Sequence, residues 1–213
     1  MTWVAQATHV HSQELTARPQ MGTNHFGPFL LTDLLLPSIL KAPQGRIVNV
    51  ASSAHQFASS GLNFDNLQSD GWFGYGALGW SAYGASKLAN VMFTYELHRR
   101  LRRKGITHVD VNAIHPGVVD TELPRNLGLP MWPLLRVMGG LLTAEQGAAG
   151  QVMLSSDPAL SGTSGLYFAA GDVPGTHVRT KSNGASYDAE AAERLWRVSE
   201  QLTGASYSAL GAA

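Results

Sequence analysis

Ser81-Ala82-Tyr83-Gly84-Ala85-Ser86-Lys87-Leu88-Ala89-Asn90 reads as the opening of a helix, and the segments on either side of it decide the fold. Ser81 suits an N-cap, where a hydroxyl oxygen accepts from a first-turn amide. Apolar residues follow at Ala85, Leu88, Ala89, Met92, Phe93, Leu97 and Leu101, in three- and four-residue steps. Arg99, Arg100, Arg102, Arg103 and Lys104, followed by Gly105, mark a carboxyl terminus, where positive charge meets the helix dipole and glycine caps. Tyr83 and Lys87 are one turn apart, so they share a face. An ammonium about 5 Å from a phenol, at an effective dielectric of about 20, favours the phenolate by roughly 3 kcal/mol. Such a pair can trade a proton near neutrality. The same spacing also serves an aromatic packed on a core beside a solvated lysine, so the neighbours have to decide between the two.

Upstream, Gly45-Arg46-Ile47-Val48-Asn49-Val50-Ala51-Ser52-Ser53 predicts a strand buried on both faces, as in a parallel sheet. Downstream, Thr107-His108-Val109-Asp110-Val111-Asn112-Ala113-Ile114 predicts a second strand ending at His115-Pro116-Gly117. Strand, helix and strand make a βαβ unit with a right-handed crossover. Ligands in such sheets lie beyond the carboxyl ends of the strands. Ser52 and Pro116-Gly117 both stand at such ends, with the Tyr83 helix between them in sequence.

Further out, Asn24 to Pro37 reads as a helix with Pro28 in its first turn and Pro37 kinking or ending it. Thr143-Ala144-Glu145-Gln146 reads as a capping box opening a helix to about Leu154. Gly165 to Ala169 reads as a third strand, and Asp188 to Leu202 as an amphipathic helix with Ala192, Leu195, Trp196, Val198 and Leu202 inward. Met1 to Gln20 has no clear period and is expected to be irregular. His9 and His11 lack further ligands, so no metal site is expected. The long polar stretch from Ala54 to Trp80 has the length of a lid or binding loop. Within it, Gly74-Tyr75-Gly76-Ala77-Leu78-Gly79 matches a dinucleotide fingerprint by spelling, yet no strand precedes it to aim the turn. Leu123 to Leu142, rich in Pro, Gly and Leu, fits either a flap over an apolar site or a packed irregular segment.

The 213 residues suit one domain of α/β class. Apolar residues make up 44% and charged ones 14%, a globular balance. Fifteen basic residues offset fifteen acidic ones, which argues against an electrostatically driven nucleic-acid binder. The absence of cysteine excludes disulfides and thiolate chemistry. No apolar run approaches the ~20 residues that span a bilayer. We therefore expect no nucleic-acid partner and no membrane segment in this chain; the sequence does not fix the compartment, and a cytoplasmic location is favoured.

These residues resemble the short-chain dehydrogenase/reductase family, in its retinol-dehydrogenase-like branch. Asn24-His25-Phe26-Gly27-Pro28 is similar to the family's Asn-His-x-Gly helix start, and Arg46 to Ser52 to its catalytic-serine strand. Tyr83-x-x-x-Lys87-Leu88-Ala89-Asn90 is similar to its catalytic helix, and His115-Pro116-Gly117-Val118-Val119-Asp120-Thr121 to its nicotinamide-facing turn. The resemblance covers roughly residue 20 onward and implies a single unit over residues 21–213. It implies that Tyr83 exchanges the proton of the substrate oxygen, that Lys87 tunes Tyr83 and holds the cofactor ribose, and that Ser52 hydrogen-bonds the substrate. Ser52 is favoured over Ser53 because it stands three places after Asn49. Asn24 would anchor a water, and Pro116, Gly117, Val118 and Thr121 would face the nicotinamide of NAD or NADP. The implied reaction interconverts an alcohol and a carbonyl on a lipophilic substrate, and a homodimer through the two retained helices is possible.

The family's opening strand, its Thr-Gly-x-x-x-Gly-x-Gly turn and its Asn-Asn-Ala-Gly strand end have no counterpart in this sequence. The resemblance thus implies a partial doubly wound, Rossmann-like parallel sheet, the carboxyl-terminal portion only, without the pyrophosphate site. The alternative expectation is a truncated, catalytically inactive relative acting through partner binding.

Overall fold

The computed structural model describes residues 19–67, 80–120 and 141–211. Three features order the chain around one sheet. β1 (Gly45–Val50) and β2 (Val109–His115) run parallel, with Ile47 opposite Val111 and Val50 opposite Ile114. β3 (Leu166–Ala170) pairs parallel to β2, with Ala113 opposite Tyr167. β4 (His177–Thr180) closes the order β1-β2-β3-β4 by pairing antiparallel to β3.

The helices cover both faces, because side chains alternate along each strand. α1 (Gly27–Ile39) follows a π-helical turn at Gly22–Phe26, itself preceded by a helical turn at Pro19–Met21. α2 (Trp80–Arg103) links β1 to β2 and packs on the face presenting Ile47, Val111 and Ala113. α3 (Ala144–Ser156) lies on the opposite face, where Leu154 meets Ile114 and Phe168. α4 (Ala189–Thr203) packs beside α2, its Trp196 ring 5.8 Å from Phe93 and 4.3 Å from Tyr207. Among the described residues no helix is long and apolar enough to cross a membrane.

Local signals account for most element ends. The Thr143 hydroxyl accepts from the Gln146 amide while the Gln146 side chain accepts from the Thr143 amide, so the expected capping box forms. The Asp188 carboxylate caps α4 through the Ala191 amide at 2.9 Å. Ala192, Leu195 and Trp196 are buried, as the spacing predicts.

Four expectations change. β2 is buried throughout except at His115, but β1 is only half covered: Arg46 and Val48 are partly exposed and Val50 is 41% exposed. Among the described residues β1 is an edge strand, so its residues lack the neighbour that a doubly buried strand has. Pro37 lies inside α1, which ends two residues later at Ile39, so the proline precedes the helix end rather than marking it. α2 begins at Trp80, which places Ser81 in the first turn rather than at the cap. β4 escapes the sequence reading because three of its four side chains are exposed, leaving backbone pairing to β3 as its definition. The glycine run at 74–79 and most of the expected flap fall outside the described residues.

Candidate active site

Tyr83 and Lys87 stand in the first two turns of α2. The Tyr83 ring is half-buried and meets the Trp80 ring edge-on at 6.0 Å. Lys87 Nζ sits 5.6 Å from the Tyr83 ring centre and donates to the Val50 carbonyl at 3.2 Å. Asn90 Nδ2 donates to that same carbonyl, also at 3.2 Å. The final carbonyl of β1 thus fixes two side chains of α2. A third tie lies deeper, where Asn49 Nδ2 donates to Thr94 Oγ1 at 2.8 Å. Burial draws the Lys87 ammonium down from its ordinary pKa of 10.5 to about 8. Taking the charge out of water disfavours it, yet it remains largely protonated at neutral pH.

Ser52 follows β1 in extended conformation and opens a 3₁₀ turn at Ser53–Ala58. Its Oγ accepts from the Ala54 amide at 3.2 Å. A hydroxyl has one donor and two acceptor lone pairs, so that bond leaves the O–H of Ser52 to donate elsewhere. α2 reaches this turn by close backbone approach. A Cβ added at Gly84 would lie 2.7 Å from the Ala54 carbonyl oxygen, so only glycine fits without displacement.

Asn24 sits in the π-helical turn, a geometry frequent at functional sites. Its Nδ2 donates to Ser86 Oγ at 3.0 Å and to Gln20 Oε1 at 3.1 Å. Ser86 in turn donates to the Tyr83 carbonyl at 2.8 Å. Asn24 is therefore joined to the Tyr83 turn through a serine that the sequence reading did not single out. Its neighbour His25 is fully buried, with Nε2 2.9 Å from Ser199 Oγ and Nδ1 3.4 Å from Asn90 Oδ1.

At the carboxyl end of β2, Ala51 donates to the Ile114 carbonyl at 2.7 Å, which sets the Ser52 end of β1 beside His115 and Pro116. Pro116 and Gly117 are half-buried and Val118 is 48% exposed. Gly117 takes φ +90, and a Cβ there would meet Leu142 Cδ1 at 2.5 Å. Thr121 lies outside the described residues, as do His9 and His11. His115 is held neutral, its pKa lowered from 6.5 to about 4, first by burial and then by His55, His177 and Lys87. Its Nδ1 is buried without a hydrogen-bond partner among the described residues. Among those residues no group of three His, Cys, Asp or Glu could hold a metal ion.

These residues fit the ribose and nicotinamide end of a dinucleotide. Lys87 offers three N–H groups, of which Val50 takes one, and an orphaned polar atom on His115 precedes the Pro116-Gly117 turn.

Sequence and structural comparisons show which known proteins this chain is similar to. A family profile described as short chain dehydrogenase matches residues 72–131. Human retinol dehydrogenase 14 is 37% identical over 189 residues, covering 87% of this chain and 52% of that protein. The chain spans about half the length of the curated relatives it matches. An uncharacterised protein of Mycobacterium paratuberculosis superposes with a TM-score of 0.61 at 31% identity, over 88% of this chain and 59% of the other. An NADP-bound crystal structure described as an NAD(P)-dependent gluconate 5-dehydrogenase, from Beutenbergia cavernae, gives a TM-score of 0.52 at 27% identity, over 70% and 53%.

Proposed function

Because this chain belongs to the short-chain dehydrogenase/reductase family, in its retinol-dehydrogenase-like branch, we propose that it interconverts an alcohol and a carbonyl on a lipophilic substrate with NAD or NADP. The observation that carries the proposal is the Tyr83–Lys87 pair held against the end of β1, with the Lys87 ammonium tied to the Val50 carbonyl beside the Ser52 turn. The nicotinamide supplies or takes the hydride when bound. The proton transfer and the positioning of the substrate oxygen fall to this chain's own residues.

In the reductive direction the Tyr83 hydroxyl gives its proton to the substrate oxygen as negative charge builds there; in the oxidative direction the phenolate takes the alcohol proton. Lys87 stands beside Tyr83, its Nζ 5.6 Å from the ring centre, and its remaining N–H groups would hold the cofactor ribose. Ser52 donates its free O–H to the same substrate oxygen, which is pre-aimed because the turn, not the substrate, fixes the serine. Asn24, through Ser86, holds the turn that carries Tyr83. Pro116, Gly117 and Val118 would face the nicotinamide. The lipophilic substrate is carried over from the name of the human relative, a retinol dehydrogenase.

Fluorescence titration of the purified chain with NADH and NADPH tests the reading. Saturable binding, lost in Lys87→Ala, is expected. No binding of either cofactor up to about 1 mM, an affinity near −4 kcal/mol, would contradict it.

A further inference from the structure

His55 stands three residues after Ser52, is 1% exposed and packs its ring 5.0 Å from that of Tyr167. Both its ring nitrogens are engaged. Nδ1 lies 2.6 Å from the Ser52 carbonyl oxygen, and Nε2 lies 2.9 Å from the backbone nitrogen of Asn183. A backbone N–H can only donate, so Nε2 must carry the lone pair. A neutral imidazole then bears its proton on Nδ1, and that proton goes to the Ser52 carbonyl. The Gln56 side-chain amide, 3.5 Å from Nε2, agrees with this tautomer. Burial disfavours a second proton on the ring, although the Ser52 carbonyl partly offsets the effect.

The far side of the contact is equally fixed. Asn183 is buried, and its Nδ2 returns a bond to the His55 carbonyl at 3.0 Å. Its Oδ1 caps the Gly184–Tyr187 turn through the Ala185 amide at 2.8 Å. The preceding Ser182 shares a hydrogen bond with Tyr95 of α2, at 2.8 Å between their oxygens. A segment more than a hundred residues downstream therefore braces the Ser52 turn, and it is itself braced on the helix that carries Tyr83 and Lys87.

We propose that His55 is a positioning residue for Ser52: its Nδ1–H clamps the Ser52 carbonyl while Asn183 locks the ring from behind. The inference rests on the reading of Ser52 as the donor to the substrate oxygen. Without the clamp the Ser52 carbonyl keeps, among the described residues, the His55 backbone amide at 3.0 Å, and the peptide can rock about it. The hydroxyl direction then loosens, and so does the Ala54 amide bonded to it.

Two substitutions separate the two nitrogens. His55→Asn places an amide N–H near the Nδ1 position and gives up the Nε2 contact. His55→Gln reaches the Nε2 position and gives up the Nδ1 donor. In His55→Gln, kcat is expected to fall by about 10- to 100-fold, with KM moving far less, because a misaimed group costs rate at the transition state. Its Ala54 amide should exchange about tenfold faster, the loss of roughly one hydrogen bond's free energy. His55→Asn should stay within about threefold of the parent in both readouts.

Equal losses in the two variants would overturn the proposal and leave His55 as packing alone. So would a parent imidazole whose nitrogen NMR spectrum shows the proton on Nε2. A parent without turnover would sink the proposed function, and the tautomer and the Ala54 exchange rates would still decide whether His55 clamps Ser52.

Discussion

At its amino end α2 packs Gly84 against the Ala54 carbonyl and grips the last carbonyl of β1 with Lys87 and Asn90. At its carboxyl end the same helix buries Leu97 and Leu101 among Phe29, Val109 and Trp196, and gathers Arg99, Arg100 and Arg103 on Glu96. One end is joined to the fold by polar contacts to backbone, the other by large apolar side chains and charge. Polar contacts of this kind fix direction and add about 1 kcal/mol each. A buried leucine adds more stability and aims nothing. Stability and chemistry should therefore come apart along a single helix.

The largest effect that can break this comparison lies at the carboxyl end. Leu97→Ala, at a fully buried position, should cost about 2–5 kcal/mol in urea unfolding, with turnover per folded molecule unchanged. A parallel fall in turnover would show that the two ends are not separable.

Acid sharpens the comparison at the junction of α1, α2 and α4. Burial lowers the His25 pKa from 6.5 to about 4, partly offset by Asn90. The folded chain keeps this ring neutral while the unfolded chain takes up a proton as pH falls through 6.5. Stability should thus be lost progressively between pH 6.5 and about 4 and level off below, with roughly 3 kcal/mol from this residue alone. Urea melts across that range should show a shallower acid limb in His25→Leu than in the parent.

Of the three changes that test packing, Gly84→Ala has the smallest expected effect on stability. The added methyl must displace the Ala54 carbonyl, at about 1–3 kcal/mol of unfolding free energy. Unlike Leu97→Ala, it should also lower turnover, because the displaced turn carries Ser52. Turnover at the parental level would mean that the turn's position does not matter to the chemistry.

The parts of the molecule that could be read from the sequence are those that local patterns specify. The β1–α2–β2 unit follows from β-branched runs around a helical period, and the α3 capping box from Thr143 and Gln146. The Tyr83–Lys87 face follows from helical spacing alone. What escaped depends on contacts remote in sequence. Ser86 meets Asn24 across 62 positions and His55 meets Asn183 across 128, and no periodicity encodes either. β4, His-Val-Arg-Thr with three side chains exposed, has no core-facing alternation, and its pairing with β3 makes it a strand. The half-exposure of β1 is likewise a property of its place in the sheet order, not of Ile47, Val48 and Val50 as residues.

We propose Tyr83 as the residue that moves the proton of an alcohol–carbonyl exchange. This role is tested most directly by NAD(P)-linked turnover of a long-chain alcohol in the parent and in Tyr83→Phe, with unfolding measured on the same samples. A rate loss of about 10²–10⁴-fold is expected, with stability within about 0.5 kcal/mol of the parent. Turnover in Tyr83→Phe within about twofold of an active parent would contradict it.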